Sequence, residues 1–332
     1  MTARAARWLT IGALALTAAC SDGETAAGES DGRLQVVTTV SPITNIVQNI
    51  AGDRADVIGI VPEGVNSHEF EPAPSDAKVL SAADVIFVNG LGLEEPTQQL
   101  AAKTKRTATP VVQLGDRTIT PDQYAYDFSF PKSAGDPNPH LWTDPELGIR
   151  YAEIVREELV RLDGDNAAAY RANADRLIAQ AKALAAALRT ASATVPQRKL
   201  VTYHDSFAYF ARRYGWTVVG AIQPSDFSEP SPRDVARIIE QVKREKVRAI
   251  FGSEVFPSPV LEQIAKASGA AYVDELRDDD LPGKKGDPDH SYLGLLRFDY
   301  VTMVEALGGD ASALKAVEVA NVAPDTTAEY RY

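Results

Sequence analysis

The sequence predicts an α/β protein of two lobes, each a parallel β-sheet flanked by helices, joined by a long, rigid backbone helix. Three observations predict this. The chain has 332 residues, beyond the length at which one hydrophobic core keeps growing, so two domains are the default expectation. Short β-branched runs alternate with segments of helical periodicity, and the order βαβαβαβα occurs twice, which places parallel strands under covering helices. Between the two sets runs an Ala-, Arg- and Leu-rich stretch from residue 167 through 188, in which Tyr170, Leu177, Ile178, Ala181, Leu184 and Leu188 form one apolar stripe. The expected boundaries are 33–165 for the first lobe, 166–195 for the linking helix and 196–332 for the second lobe.

In chain order, residues 34–40 read as a β-rich strand, and Ser41-Pro42 open a helix over 43–50, because proline is pre-organised for a first helical turn. A strand over 56–61 leads into the turn-rich stretch 62–76, followed by a helix over 75–83, a strand over 85–88, a helix over 94–103 and a strand over 111–114. Residues 115–138 carry Asp, Pro, Tyr and Phe without periodicity and read as a long loop. Helical pattern returns over 145–162, breaks at Asp163-Gly164-Asp165-Asn166 and resumes in the linking stretch. The second lobe is expected to hold strands over 199–203, 217–221, 249–251 and 271–273, helices over 206–214, 233–246, 258–268 and 291–307, and an acidic loop over 276–289.

Composition bounds the function. A hydrophobic content of 45% and a charged content of 24% are those of a globular protein. The formal charge of −12 argues against nucleic acid as a partner and is compatible with a cation as ligand. Arg4 and Arg7, an apolar run over 9–19 and small residues ahead of Cys20 read as a signal peptide, 1–19, too short to remain as a membrane span. Cys20 is the only cysteine, so no internal disulfide is available. Thr17-Ala18-Ala19-Cys20 resembles a lipobox, with threonine where leucine is usual, and predicts acylation of Cys20. Residues 20–32, small and acidic, then form a tether.

There are four histidines. His68, His140 and His204 each lie in a connection ahead of a helix, where loops can converge on one cleft. From the residues alone each could be a turn histidine, a catalytic acid–base or a metal ligand. A fourth, anionic ligand would complete a tetrahedron, and Asp278-Asp279-Asp280 is the best-supplied source. The chain carries no His-Glu-x-x-His pair, no cysteine module for zinc, no Gly-x-Ser-x-Gly and no phosphate-binding glycine loop.

Residues 34–308 resemble the metal-binding lipoproteins of bacterial zinc and manganese ABC importers, the TroA-like solute-binding family. The motifs are Val-Val-Thr-Thr-Val-Ser-Pro at 36–42, Gly-Val-Asn-Ser-His-Glu-Phe-Glu-Pro at 64–72, Ala83-Asp84 with Asn89-Gly90, Asn-Pro-His-Leu-Trp at 138–142, His-Asp-Ser-Phe-Ala-Tyr-Phe at 204–210, and Asp279-Asp280-Leu281. The resemblance implies a metal held between the lobes by His68, His140, His204 and Asp279, the aspartate chosen by the family's Asp-x-Leu pattern. It places Glu254 beside the site as a supporting acid and matches His290 to no ligand position, leaving it a surface or capping residue or, alternatively, an accessory metal contact. Three nitrogens and a carboxylate suit Zn²⁺, with Mn²⁺ the less favoured ion, because manganese-carrying members usually have a carboxylate at the position of His204. Many zinc members carry a His-rich loop where residues 115–138 have no histidine. Affinity is expected to fall as pH drops through the imidazole range.

The implied function is an extracytoplasmic receptor, periplasmic or at the cell surface, anchored through Cys20 or else soluble in the periplasm. It would be a monomer that performs no reaction and delivers Zn²⁺ to a membrane permease, with a periplasmic metallochaperone as an optional further partner. The alternatives are a manganese receptor of the same family, an exported zinc hydrolase, whose metal would keep an open position for water, and an adhesin or structural zinc protein.

Overall fold

Alternation of buried strands and amphipathic helices produces two all-parallel sheets. A computed structural model describes residues 32–253, 258–324 and 328–330. The expected signal segment, Cys20, nearly all of the tether and Glu254 lie outside the described residues. The first half runs β1 (Leu34–Thr38), α1 (Ser41–Ala51), β2 (Ala55–Gly59), α2 (Asp76–Ala82), β3 (Val85–Val88), α3 (Glu95–Thr104), β4 (Val111–Gln113), α4 (Leu114–Thr118) and α5 (Pro145–Leu162). After α6 (Ala167–Thr194) come β5 (Lys199–Thr202), α7 (Ala208–Tyr214), β6 (Thr217–Ala221), α8 (Pro232–Glu245), β7 (Ala249–Ser253), α9 (Pro259–Ser268), β8 (Ala271–Leu276), α10 (Tyr292–Ala306), α11 (Ser312–Lys315) and β9 (Ala328–Tyr330).

The first sheet has the order β4-β3-β1-β2-β9 and the second β6-β5-β7-β8, and every pairing is parallel. Successive side chains on a strand point to opposite faces, and each sheet divides its residues accordingly. Val36, Val57, Val85 and Phe87 of the first sheet face a central core, whereas Val37, Ile86 and Val88 pack with Val79, Leu80 and Ala101 of α2 and α3. In the second sheet Leu200, Ala249 and Phe251 face the same central core, and Val201, Val219 and Ile250 pack with Ile238, Val242, Leu261 and Ile264 of α8 and α9.

The linking helix α6 holds this arrangement together. Its 28 residues rise about 42 Å, and its buried stripe Tyr170, Ala174, Leu177, Ile178, Ala181, Leu184, Ala185, Leu188 and Ala191 follows the i, i+3, i+4 pattern. It packs against α1, α5, α7, α10 and α11. Near its end the Ser192 hydroxyl accepts from Trp216 Nε1 at 3.0 Å, tying it to the second lobe.

The two lobes lie within one compact unit, residues 33–332, and share a continuous core, because α6 and α10 bury apolar residues against both halves. Two expectations change. The aperiodic stretch 115–138 is not all loop: α4 turns at its start, and 3-10 turns occupy Pro121–Gln123 and Lys132–Ala134. The C-terminal segment does not stay in the second lobe. β9 pairs with β2 through Val57↔Ala328, Ile58↔Glu329 and Gly59↔Tyr330, and covers what would otherwise be an open sheet edge.

Candidate metal centre

In open α/β sheets ligands gather beyond the carboxyl ends of the strands. His68 lies in the connection after β2, His204 follows β5 closely, and Asp279 follows β8. His140 enters from the segment ahead of α5, at the start of the 3-10 turn Leu141–Thr143. The two histidines of the first lobe are set by the same local device: His68 N donates to Asn66 Oδ1 at 3.0 Å, and His140 N to Asn138 Oδ1 at 3.0 Å. Each is an asparagine folding back on the backbone two residues on.

The four side chains meet, with one ligand atom from each lying within 4.8 Å of all the others. His140 Nε2 is 3.0 Å from His68 Nε2 and 2.8 Å from His204 Nε2. Asp279 completes the group at 3.8 Å from His68, 3.7 Å from His140 and 3.6 Å from His204. All four are held out of water; even His68, the least enclosed, has a side chain only 4% exposed.

The chemistry of this group follows from its outer partners. His140 Nδ1 lies 2.8 Å from Asn138 Oδ1, and His204 Nδ1 lies 2.8 Å from Gln223 Oε1. The Asn138 amide is oriented by its other contacts, since its Nδ2 donates to Asp127 Oδ2 and to the Asp205 carbonyl. Amide oxygens only accept, so each Nδ1 carries the proton and each Nε2 presents its lone pair. Lone pairs facing each other at 2.8 Å repel unless a cation lies between them. Asp279 Oδ1 is buried with no hydrogen-bond donor, a further atom in want of a cation.

Electrostatics keeps the imidazoles neutral. Burial pushes His204 down to about 4, against a smaller upward pull from its bond to Gln223. Burial and then the neighbouring imidazoles hold His68 and His140 well below the ordinary histidine range. Burial, with the Asp278 charge next, raises Asp279 well above the usual carboxylate range. The share of the expected loss that comes from the imidazoles therefore moves to lower pH, whereas the raised Asp279 must ionise before it can coordinate.

The three consecutive aspartates point three ways. Asp278 Oδ1 accepts from Ser206 Oγ at 3.1 Å, while the Asp278 carbonyl accepts from Trp142 Nε1 at 3.1 Å. Asp280 Oδ1 accepts from Ser41 Oγ at 3.0 Å. Only the middle one, Asp279, faces the imidazoles. His290 departs from its expected place at the surface: it is 2% exposed, with Nε2 3.3 Å from Glu63 Oε1. Residues that sequence reasoning missed are Gln223, Phe130 and Phe227. Asn138 carried a signal, its position two residues before His140; Gln223 carried none.

The family described as zinc-uptake complex component A, periplasmic (ZnuA), matches residues 36–306. The chain belongs to this family. Among relatives of this ZnuA-family chain, the manganese-binding lipoprotein MntA of Halalkalibacterium halodurans is 32% identical over 295 residues, covering 88% of this chain and 94% of its own. The iron-binding protein YfeA of Yersinia pestis is 31% identical over 278 residues, covering 83% of this chain and 87% of its own. Of solved structures, the periplasmic zinc-binding protein TroA of Treponema pallidum superposes with a TM-score of 0.75 at 29% identity, over 83% of this chain and 99% of that one. A ZnuA-family chain is a metal-binding receptor of an ABC transporter and not an enzyme; the hydrolase reading finds no support.

Proposed function

We propose that the protein captures Zn²⁺ outside the cytoplasmic membrane, with His68, His140, His204 and Asp279 as its ligands, and delivers it to the membrane permease of an ABC importer. The observation that carries this reading is the convergence of three imidazole nitrogens, two of them Nε2 atoms with their lone pairs turned inward, and one carboxylate on a buried point. A set of three neutral nitrogens and one oxygen is a borderline-soft, four-coordinate donor set and suits Zn²⁺ better than Mn²⁺, which prefers oxygen-rich octahedra. The cation is cargo. Among the described residues no helix is long and apolar enough to cross a membrane, and acylated Cys20 would supply the attachment, with residues 20–32 as tether.

The names of the relatives favour a second reading. MntA is called manganese-binding and YfeA iron-binding, so a receptor for Mn²⁺ or Fe²⁺ stands beside the zinc reading. Direct competition decides between them: protein stripped with a chelator and offered equal Zn²⁺ and Mn²⁺ is expected to take up one Zn²⁺ per chain. Equal occupancy by manganese overturns the zinc assignment. Asp279→Ala is expected to weaken binding, and a loss with Asp278→Ala or Asp280→Ala but not with Asp279→Ala would show that a different aspartate binds.

A further inference from the structure

Two aromatic rings flank the candidate centre. Phe227, on the connection between β6 and α8, stacks on His68 with centroids 4.6 Å apart and planes 26° apart. Phe130, on the connection ahead of α5, lies 5.7 Å from the His68 ring and meets the His140 ring edge-on at 5.5 Å. The two phenylalanines are 6.2 Å from each other, so elements from both lobes form one apolar wall. On that wall opens a cavity of about 160 Å³, lined by His68, Phe130 and Phe227 and by Ser129, Ser225 and Asp136. Such a space holds several waters at roughly 30 Å³ each. The cavity thus reaches His68, at the edge of the candidate centre, beside the two phenylalanine rings.

Phe227 is also held in a backbone conformation that suits glycine, with φ at +57°. A bulky residue stays there only when its surroundings over-determine it. Its N–H closes a turn on the Pro224 carbonyl at 3.0 Å, and its ring packs on His68.

We propose that Phe227, with Phe130, bars water from the bound cation and so fixes it at four protein ligands, making these rings determinants of metal selectivity. The inference rests on the receptor reading above. Zn²⁺ is content with four ligands. Mn²⁺ seeks about six, mainly oxygen, and would need waters from the cavity that these two rings line to reach that number.

Co²⁺ is the probe, because its visible bands are intense in four-coordinate sites and weak in five- or six-coordinate ones. The intact protein loaded with Co²⁺ should show the intense bands. Phe227→Ala should show the weak ones, with the Mn²⁺ to Zn²⁺ affinity ratio raised by about tenfold, the lower end of outer-partner effects on metal sites. Phe227→Tyr, which keeps a ring over His68, should behave as the parent does, and retained Zn²⁺ binding certifies that each variant is folded. Weak bands in the parent, or intense bands and an unchanged affinity ratio in Phe227→Ala, overturn the wall alone. A parent that binds none of the three ions overturns the receptor reading and the wall with it.

Discussion

At the scale of single residues, the proton positions in the centre govern how it binds. With the three imidazoles already neutral, none has a proton to shed on taking up a cation. Asp279 differs: its raised pKa keeps it protonated over a wider range in the free protein, and it must ionise to coordinate. Binding should therefore release a proton at pH values below the raised Asp279 pKa, and affinity should rise with pH up to it. Below about 4 the fall with acidity should steepen, because His204 then competes for protons as well. Calorimetry in buffers of different ionisation enthalpy reads the proton count directly; a count of zero at every pH from neutral down to about 4, where His204 begins to protonate, would contradict this assignment. The outer partner Gln223 is expected to matter nearly as much. In Gln223→Ala the His204 ring loses the acceptor that fixes its tautomer, and Zn²⁺ affinity should drop about 10- to 100-fold in a chelator competition, with the fold unchanged by circular dichroism. From the residues alone the three histidines stood out but kept turn, catalytic and ligand roles open, and only the motifs that carry the family resemblance singled them out as ligands. Gln223 and Phe227 did not stand out, since glutamine and phenylalanine in a proline-rich loop look like any others until the chain brings them against His204 and His68.

At the scale of elements, regular structure was legible wherever burial and periodicity agree. α5 begins at Pro145 behind Asp144, whose carboxylate accepts from Glu146 N, and α8 begins at Pro232 behind Ser231, whose hydroxyl accepts from Asp234 N; such caps are written in local sequence. α4 and β9 were not legible, being five and three residues long. Elements that short have no period to show, and β9 exists only because the β2 edge is there to pair with it. Gly148 within α5 shows how packing overrides helix propensity. A Cβ there would collide with the Tyr292 hydroxyl of α10, which donates to the Trp142 carbonyl at 2.7 Å. Alanine favours a helix by about 1 kcal/mol over glycine, but here it must displace Tyr292 and strip that bond in a closed core. Gly148→Ala is expected to destabilise the protein by about 1–3 kcal/mol, seen as a lower midpoint in urea with unchanged slope. A rise in the midpoint would mean that Tyr292 can move aside freely.

At the scale of the whole molecule, the question is how far two lobes that share one core can part. The residues at their junction are joined by more than the linking helix. Ser129 of the first lobe donates through N to Asp205 Oδ2 at 3.0 Å and through Oγ to the Gln223 carbonyl at 2.6 Å. Asn138 Nδ2 reaches the Asp205 carbonyl, and Tyr209 OH donates to the Asn138 carbonyl at 2.9 Å. Beneath them the apolar core runs unbroken from Val36 and Val57 through Leu184 and Leu188 to Leu200 and Phe251. A hinge opening would expose that core, and at about 25 cal/mol per Å² even a few hundred square ångströms would cost several kcal/mol. Rearrangement on binding or release is therefore expected in the ligand-bearing connections, with the lobes keeping their mutual orientation. Small-angle X-ray scattering of the stripped and Zn²⁺-loaded protein should give the same radius of gyration within error. Hydrogen exchange should differ between the two states at residues 62–72, 222–230 and 277–282, and not along α6. A measurable contraction on loading, or exchange differences along α6, would show instead that the spine bends and that the shared core opens when the metal leaves.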